Sequence, residues 1–460
     1  MPTIKDRTVQ MLLKMVLEPI WESDFLDCSS GFRIGRRTMD CIWTVYQLTY
    51  PRSKMYWAIE GDIKGYFDNI HHVKLMELLA KRIQDPRILT VVEQFLTAGV
   101  MEKQLFRRTE AGTPQGGIVS PLLANIYLHE LDRYWWEQHG DLNWSERWGR
   151  RQRRQGNNHL IRYADDFLLL TNGTKAEAER LKVEFGDFLQ KELKLELSPE
   201  KTLITHVNDG YDFLGYHIRR YTNPKEGTKP VVLVKPSNKG IDRFKDKVRQ
   251  LTATNRIADP LDTLRAYNRL AAGWGNYYRF VNSKDIFVEL DHWAFKRLLF
   301  WFARHHGIGP MRAWEQYVHL QPGRKEGTMR KNLAVKDDTG RRLYCYKIAD
   351  LQVRRYSRKR MDNPYLTGEG ITTISEPETA TLEGSWTGST TSDHATYRGE
   401  RLSKLEEVEY RCERCGSQDN LDIHHRKPAK GRDRRTLHHP SEWLEVMCEK
   451  CHAATYKQNG

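Results

Sequence analysis

The sequence predicts a multidomain α+β protein. Its 460 residues are enough for roughly two to four domains. Through residues 1–306, apolar runs of strand composition alternate with stretches of helical periodicity. Residues 365–400 are rich in Ser, Thr, Gly and Glu and poor in apolar residues, which indicates a linker before a C-terminal segment that contains paired cysteines.

The composition favours a polyanionic partner. Lys and Arg number 74 against 60 Asp and Glu, which gives a formal net charge of +14 and suits nucleic acid. A charged membrane surface is the alternative. It is disfavoured because no apolar stretch approaches the roughly 20 residues of a membrane-spanning helix and no signal-peptide pattern opens the chain. We therefore expect an intracellular protein without a membrane partner, whose scattered Cys28, Cys41 and Cys345 are reduced thiols.

The first elements place an acid at the end of a strand. Helical periodicity at 1–20 predicts a helix, and a loop-like stretch follows at 25–33. The stretch 56–63 is rich in strand formers and contains Asp62 near its end. Such an acid can present its carboxylate into a cleft floored by the end of the strand.

A Gly/Pro-rich loop at 112–120 contains Gln115 and runs into an apolar helix. Gly allows a close approach of backbone to a ligand, and a helix N-terminus favours a phosphate. The loop lacks the Lys-Ser/Thr of a P-loop and the spacing of a dinucleotide fingerprint. An ordinary nucleotide-binding fold is therefore disfavoured.

Two adjacent acids, Asp165 and Asp166, lie between apolar runs at 160–163 and 167–170. The pattern predicts a hairpin whose tight turn holds both acids at its tip. An ordinary surface turn is the alternative, since Asp is a favoured turn residue. Further along, 175–194 predicts an amphipathic helix, and 213–216 predicts another strand with a Gly where a second backbone could pass.

Helical patterns dominate 241–306 and indicate a helical bundle. Residues 341–360 then contain eight Lys or Arg and one acid. This excess predicts sequence-independent binding to phosphates, with an affinity that falls steeply as salt rises.

The C-terminal segment contains two Cys-x-x-Cys pairs, Cys412/Cys415 and Cys448/Cys451. Four thiolates make a closed tetrahedral zinc site. The 32 residues between the pairs exceed the roughly 15 to 20 of a simple zinc ribbon, so a further structure is expected within the gap. A purely structural zinc finger is the alternative.

Taken in order, these motifs resemble a reverse transcriptase of the group II intron type, also called a maturase. The resemblance is carried by the strand with Asp62, the Pro114-Gln115-Gly116 loop, Tyr163-Ala164-Asp165-Asp166, Ser198-Pro199-Glu200-Lys201, Phe213-Leu214-Gly215 and the loop Ser29-Ser30-Gly31-Phe32-Arg33. It implies a right-hand polymerase palm with partial fingers over 1–225, an α-helical thumb or maturase domain over 226–335, and a basic DNA-binding segment with a linker over 336–400.

The resemblance also implies the catalytic residues. Asp62, Asp165 and Asp166 would be catalytic and would hold two Mg²⁺ ions, with the carbonyl of Ile63 completing one shell of oxygen ligands. Nucleotidyl transfer needs an activated 3′-hydroxyl and a neutralised triphosphate, and two divalent ions about 4 Å apart provide both.

Substrate contacts follow from the same resemblance. Phe67 would block a ribose 2′-oxygen, so that deoxynucleotides are preferred; a buried core Phe is the alternative. Gln115 would line the incoming nucleotide, and Lys201 would donate a proton to the leaving pyrophosphate. The primer and template would contact Tyr163, Ala164, Phe213, Leu214 and Gly215.

Residues 401–460 resemble the HNH family of metal-dependent nucleases, which have a small zinc-stapled ββα-metal fold. The resemblance implies that His425 is the general base and that His424 and His452 bind one Mg²⁺. Tyr456 stands where members of that family often carry a further His. The structural zinc would be held by Cys412, Cys415, Cys448 and Cys451.

Together, the resemblances imply a protein that binds its intron RNA, assists splicing, nicks target DNA and copies the intron into DNA from dNTPs, in a bacterial-type cytoplasm at the nucleoid. One alternative is an RNA-binding splicing factor without polymerase activity, and another is a stand-alone reverse transcriptase of a different bacterial element. The first alternative depends on the N-terminus. The family carries triphosphate-binding basic residues upstream of Pro2, so we expect Met1 to be an internal methionine or a point of truncation.

Overall fold

The structure is a computed structural model of the chain. It describes residues 3–53, 55–97, 100–102, 105–107, 112, 117–140, 144–152, 156–221, 230–253, 259–322, 328–337, 339–356, 365, 404, 412–415, 421–425, 444–448 and 451. These residues belong to two compact units, Met1–Thr373 and Ile374–Gly460, each of which is described by itself.

The described part of the first unit mixes helices and strands, which confirms the predicted α+β class. The helices are α1 (Ile4–Glu22), α2 (Thr38–Thr49), α3 (His72–Ala80), α4 (Pro86–Thr97), α5 (Ser120–Trp135), α6 (Trp144–Gln152), α7 (Lys175–Leu193), α8 (Asn238–Leu251), α9 (Pro260–Tyr278), α10 (Lys284–His305) and α11 (Pro310–Tyr317). The strands are β1 (Trp57–Asp62), β2 (Val100–Glu102), β3 (Leu105–Arg107), β4 (Asn158–Tyr163), β5 (Asp166–Thr171), β6 (Leu203–His206), β7 (Tyr211–Phe213), β8 (Tyr216–Tyr221), β9 (Val231–Pro236), β10 (Val318–Pro322), β11 (Met329–Lys336) and β12 (Arg342–Tyr344).

A four-stranded antiparallel sheet with the order β4-β5-β1-β6 forms the centre of the first unit. Both of its faces are covered. Ile59 packs in one core with α5 and α7, whereas Ala58 packs in a second core with β7, β8 and the helices α8 to α10. Burial on both faces explains why the strands have continuous apolar runs rather than a clean alternation. The ends of the strands are therefore the places to look for a ligand site.

The stretch predicted as a single strand at 213–216 is a turn between two strands. Phe213 ends β7 and Tyr216 begins β8, and the two residues between them have positive φ angles, 50° at Leu214 and 80° at Gly215. Two successive left-handed residues are the signature of a two-residue hairpin loop. The apolar run Phe-Leu-Gly-Tyr hides this turn, since only its Gly is a typical turn residue. The strand β9 adds to the same sheet.

The helices α8 to α11 follow the strands and share a core with them. The beginning of the predicted basic DNA-binding segment is part of this core, because Cys345 and Ile348 are buried in it. Asp291 on α10 accepts hydrogen bonds from the backbone amides of Ile348, at 2.9 Å, and Ala349, at 2.8 Å. This part of the segment is therefore fixed to the thumb-like helices.

In the second unit, the strands β13 (Leu421–His425) and β14 (Leu444–Cys448) form an antiparallel pair. None of the helices in the described ranges is long and apolar enough to cross a membrane.

Candidate active site

Three carboxylates lie at the same end of the central sheet, where β1 ends and β5 begins. Asp62 is the last residue of β1, and its cross-strand partner is Asp166, the first residue of β5. Partners directly opposite each other on an antiparallel pair project to the same face. Asp165 lies in the two-residue turn that joins β4 to β5. The predicted hairpin is present, although only Asp165 is in the turn itself and Asp166 already belongs to the strand.

The turn has an uncommon backbone. Ala164 has a φ of 58°, a left-handed conformation that Asn or Gly adopts more readily than Ala. The loop that follows α1 packs directly against it: a Cβ on Gly31 would lie 2.2 Å from the amide nitrogen of Ala164. Gly31 is therefore required by the close approach of the loop to the catalytic hairpin.

A buried arginine ties the turn to the core. The side chain of Arg162 is fully buried, and its Nη1 donates to the carbonyl of Ala164 at 2.8 Å. Its Nε and Nη2 donate to the two carboxylate oxygens of Asp132 on α5, at 2.8 and 2.5 Å. Asn125, also on α5, accepts from Arg162 at 3.2 Å and donates to the carbonyl of Gly31 at 2.7 Å. One network thus holds the hairpin, the loop and α5 together.

This network was not predicted. The available signal was a charged residue at position 162 within an apolar strand and another, Asp132, within a largely apolar helix. Such residues are almost never fully buried unless they are paired.

The three carboxylates repel one another electrostatically. Desolvation, followed by repulsion from Asp165 and Asp62, raises the pKa of Asp166 to about 6. Desolvation, together with repulsion from Asp62, also raises the pKa of Asp165. Within the described ranges, the three acids do not bring one oxygen each to within 4.8 Å of one another. Hard oxygen donors of this kind fit Mg²⁺.

Lys201 contacts one of these acids. Its Nζ lies 2.5 Å from Oδ2 of Asp62, and this hydrogen bond raises the pKa of Lys201. The turn that carries it is fixed to the end of β1, since the amide of Ser198 donates to the carbonyl of Asp62 at 3.0 Å and that of Lys64 to the carbonyl of Glu196 at 2.9 Å. These two bonds flank Ile63 and do not use its carbonyl.

Phe67 lies beside a second aromatic residue. It is half-buried in a short 3₁₀ helix, Tyr66–Asp68, and packs against the core that contains Ile59. Its ring is 6.3 Å from that of Phe32, edge to face. Phe32 has a φ of 57° and a side chain that is 51% exposed. No role was predicted for Phe32, because no sequence pattern indicates a left-handed backbone at a Phe.

The Gly/Pro-rich loop is fixed near both ends. At one end, the amide of Gly112 donates to the carbonyl of Ile70 at 2.9 Å. At the other, the amide of Ile118 donates to the buried side chain of Gln10 on α1 at 2.7 Å. Gln115 itself lies outside the described residues.

A cleft of about 1270 Å³ opens in front of the acids. The palm side contributes Asp62, Tyr163, Asp166 and Lys201, and the β7–β8 turn contributes Phe213, Leu214 and Gly215. The lining also includes four basic side chains of α8 and α9: Lys239, Arg243, Lys247 and Arg269. A cleft lined by both acids and cations can hold a polyanion with its reacting end at the acids.

The second unit contains a thiol cluster. The Sγ atoms of Cys412, Cys415 and Cys451 all lie within 4.8 Å of one another. Zinc ligands at 2.3 Å in a tetrahedron are about 3.8 Å apart, so the cluster fits Zn²⁺. The Cys412–Cys415 turn is joined to β14, because the amide of Glu413 donates to the carbonyl of Val446 at 2.9 Å.

The remaining predicted residues of this unit are only partly described. Cys448 ends β14, and His424 and His425 end β13, where they pair with Glu445 and Leu444. Both histidines therefore lie on a strand. The side chains of Cys448, His424 and His425, and the whole of His452, lie outside the described residues.

Strand-end acids in a cleft that also contains basic side chains are typical of a metal-dependent enzyme that acts on a polyanion. Comparison with known proteins gives the family. The model of "Reverse transcriptase (RNA-dependent DNA polymerase)" matches residues 1–218, and that of "Group II intron, maturase-specific domain" matches residues 241–317. The chain is 30% identical to the group II intron-encoded protein LtrA of Lactococcus lactis subsp. cremoris, over 77% of this chain and 67% of LtrA. It is 39% identical to protein YkfC of Escherichia coli (strain K12), over 52% of this chain and 67% of that protein.

The chain therefore belongs to the family of group II intron-encoded reverse transcriptases and maturases. These matches confirm the reverse transcriptase and maturase functions predicted from the sequence. Among solved structures, telomerase from Candida albicans in complex with a fragment of telomeric RNA aligns over 68% of this chain and 56% of that chain, with 10% identity and a TM-score of 0.37, which is too low to support an inference.

Proposed function

We propose that the chain extends DNA primers on RNA by nucleotidyl transfer at Asp62, Asp165 and Asp166, and that its natural template is the group II intron RNA whose splicing it assists. The observation that carries this proposal is the pairing of Asp62 with Asp166 at strand ends that line a cleft with basic side chains from α8 and α9. Carboxylates at such a position can hold the metal ions that position a triphosphate and a primer 3′-hydroxyl.

Asp62, Asp165, Asp166 and the carbonyl of Ile63 would hold two Mg²⁺ ions. When bound, the ions would neutralise the triphosphate and activate the 3′-hydroxyl. Lys201 lies beside the same carboxylates, with its ammonium largely exposed, and would donate a proton to the pyrophosphate oxygen as the bond to it breaks.

The remaining substrate contacts would come from several elements. Phe67, supported by the edge of Phe32, would exclude a ribose 2′-hydroxyl and so select dNTPs, and Gln115 would line the site of the incoming nucleotide. The primer and template would contact Ala164 and four residues that line the cleft: Tyr163, Phe213, Leu214 and Gly215. The basic side chains of α8 and α9 would follow the phosphate backbone of the duplex.

In the proposed domain organisation, residues 1–225 form the fingers and palm and residues 226–335 form the thumb or maturase domain. Residues 336–400 form a basic DNA-binding segment with a linker, and residues 401–460 form a nuclease. The chain would act inside the cell, in a bacterial-type cytoplasm at the nucleoid, where intron RNA, target DNA and dNTPs are all available.

Extension of a DNA primer on an RNA template tests the polymerase proposal. With Mg²⁺ and dNTPs we expect full-length complementary DNA, with NTPs little product, and with EDTA none. Replacing Phe67 by Val should raise incorporation of NTPs relative to dNTPs by roughly 10-fold or more, since it removes the steric gate beside Phe32. A chain that binds intron RNA and assists splicing but extends no primer under any of these conditions would support the splicing-factor alternative instead.

For the second unit, we propose an HNH nuclease that nicks target DNA to create the primer. Cys412, Cys415, Cys448 and Cys451 would hold a structural Zn²⁺, and the clustering of three of these thiols supports this. His425 would activate water, while His424 and His452 would bind one Mg²⁺. The position of the two histidines at the end of a strand paired with β14 agrees with this assignment.

Zinc content and nicking activity separate the two roles in this unit. Cys415→Ser should lower the zinc bound per chain from one to near zero. His425→Ala should leave the zinc content unchanged and slow nicking by roughly 10² to 10⁴-fold, as loss of a general base does. Asp166→Asn is the matched control, because it should stop extension and leave nicking intact. Unchanged nicking in His425→Ala would refute the assignment of the base, and full zinc retention in Cys415→Ser would refute that of the ligands.

A further inference from the structure

The turn that the proposal assigns to the primer is held by two hydroxyl groups of the thumb. The hydroxyl of Tyr277 donates to the carbonyl of Leu214 at 2.8 Å, and that of Tyr278 donates to the carbonyl of Gly215 at 3.0 Å. The carbonyl of Gly215 also accepts from the amide of Ser237 at 2.9 Å. Both tyrosines are the last residues of α9 and lie within the stretch that matches the maturase-specific domain.

The packing around this contact is close. Tyr216, the first residue of β8, donates its hydroxyl to the carbonyl of Tyr277 at 2.7 Å, and its ring stacks on that of Tyr277 with centroids 5.1 Å apart. A Cβ on Gly240 of α8 would lie 2.5 Å from the hydroxyl of Tyr278. Gly240 therefore leaves the space that lets the Tyr278 hydroxyl reach the turn.

The contact also faces the reacting groups. Tyr277 and Tyr278 line the same cleft as Asp62, Asp166 and Leu214. The side chain of Tyr277 is 39% exposed, so its ring borders the space that the primer would occupy. Leu214 has a left-handed backbone that a Leu rarely adopts, and such a conformation persists only where its surroundings fix it.

We infer that Tyr277 and Tyr278 are positioning residues for the primer. Their hydroxyls fix the Leu214-Gly215 turn relative to the acids, so the geometry of the primer terminus depends on the docking of the maturase-specific helices onto the palm. This inference rests on the proposed role of the turn in gripping the primer. It extends that role to two residues outside the polymerase motifs.

The test replaces each tyrosine by phenylalanine, which removes only the hydroxyl. Tyr277→Phe and Tyr278→Phe should each raise the KM for primer–template roughly threefold to tenfold, the range expected for one neutral hydrogen bond, and shorten the products made per binding event. The KM for dNTP should stay unchanged, because the nucleotide contacts lie on other elements. Tyr344→Phe is the matched control: its hydroxyl donates to the carbonyl of Leu320 at 3.0 Å, on the β10–β12 sheet, and none of these strands lines the cleft.

A structural role alone would affect both KM values or kcat without a split between them. Each variant loses one hydrogen bond, so the three melting temperatures should fall by similar small amounts, whereas intron RNA binding should equal that of the unmodified chain. If the unmodified chain extends primers and the Tyr277→Phe, Tyr278→Phe double variant has the same KM for primer–template and the same product length, the inference fails while the proposed function stands. If the unmodified chain extends no primer, the proposed function itself fails.

Discussion

Replacing Arg162 by Met should lower the free energy of unfolding of the first unit by about 3 to 5 kcal/mol, the cost of leaving one member of a buried ion pair without its partner. The side chains of Arg162 and Asp132 are both 0% exposed, and the substitution would leave the Asp132 carboxylate in the core without its two guanidinium donors. It would also remove the donor that fixes the carbonyl of Ala164 at the catalytic turn. We therefore expect weaker primer extension even in the fraction that remains folded.

Urea denaturation of variants in both partners measures this effect. The double variant Arg162→Met, Asp132→Leu should recover much of the stability lost in Arg162→Met, because it removes the orphaned charge as well. It should not recover extension, since the donor to Ala164 is still missing. Arg265→Met is the matched control: its pair with Asp262 on α9 is exposed, and its loss should cost less than about 1 kcal/mol. Equal losses in Arg162→Met and Arg265→Met would contradict the role of the buried pair.

The position of Asp166 at the active site was predictable from the sequence, whereas the role of Arg162 was not. Asp62 and the Asp165-Asp166 pair were predictable, because each adjoins an apolar run long enough to specify a strand and its end. Arg162 and Asp132 are 30 residues apart and belong to a strand and a helix whose contact is set by the packing of the whole unit. Local patterns mark each residue as an unusual charge in an apolar element, but they do not show that the two residues pair.

Unusual backbone conformations near the site were also not predicted from the sequence. Phe32, Ala164 and Leu214 all have positive φ angles, although none of these residue types favours them. The surrounding structure imposes these angles through contacts such as that of Gly31 with Ala164, which appear only in three dimensions. The turn at Leu214 was for this reason predicted as part of a strand.

Composition also described the segment after the thumb incompletely. Its excess of Lys and Arg predicts a nucleic-acid surface, but Cys345 and Ile348 anchor its first part in the core of the thumb-like helices. A short apolar anchor within a basic stretch has little weight in a compositional average. The basic residues that follow this anchor therefore start from a fixed position on the first unit.

Replacing Asp166 by Asn should move activity and stability in opposite directions. Extension should fall by roughly 10³-fold, since the loss of charge stabilisation at a two-metal site is worth several kcal/mol and each 1.36 kcal/mol is tenfold in rate. Without metal, however, the folded chain should become more stable at neutral pH. The reason is that desolvation and the neighbouring acids raise the pKa of Asp166 from 3.8 to about 6, so that its ionised form disfavours folding.

The sign of this effect fixes its pH dependence. Below pH 4 the carboxyl is protonated in both the folded and the unfolded chain, and the variant should have no advantage. As the pH rises from about 4 to 6, the native residue loses stability that Asn retains, so the difference should reach its full value above pH 6. Melting curves in EDTA across this range measure it, and Asp187→Asn, at an exposed position of α7, should change neither melting nor extension. If the Asp166→Asn variant melts at a lower temperature than the native chain at pH 7.5, Asp166 stabilises the fold and the prediction is wrong. A gain in stability together with a loss of activity is expected for a residue that is kept for catalysis.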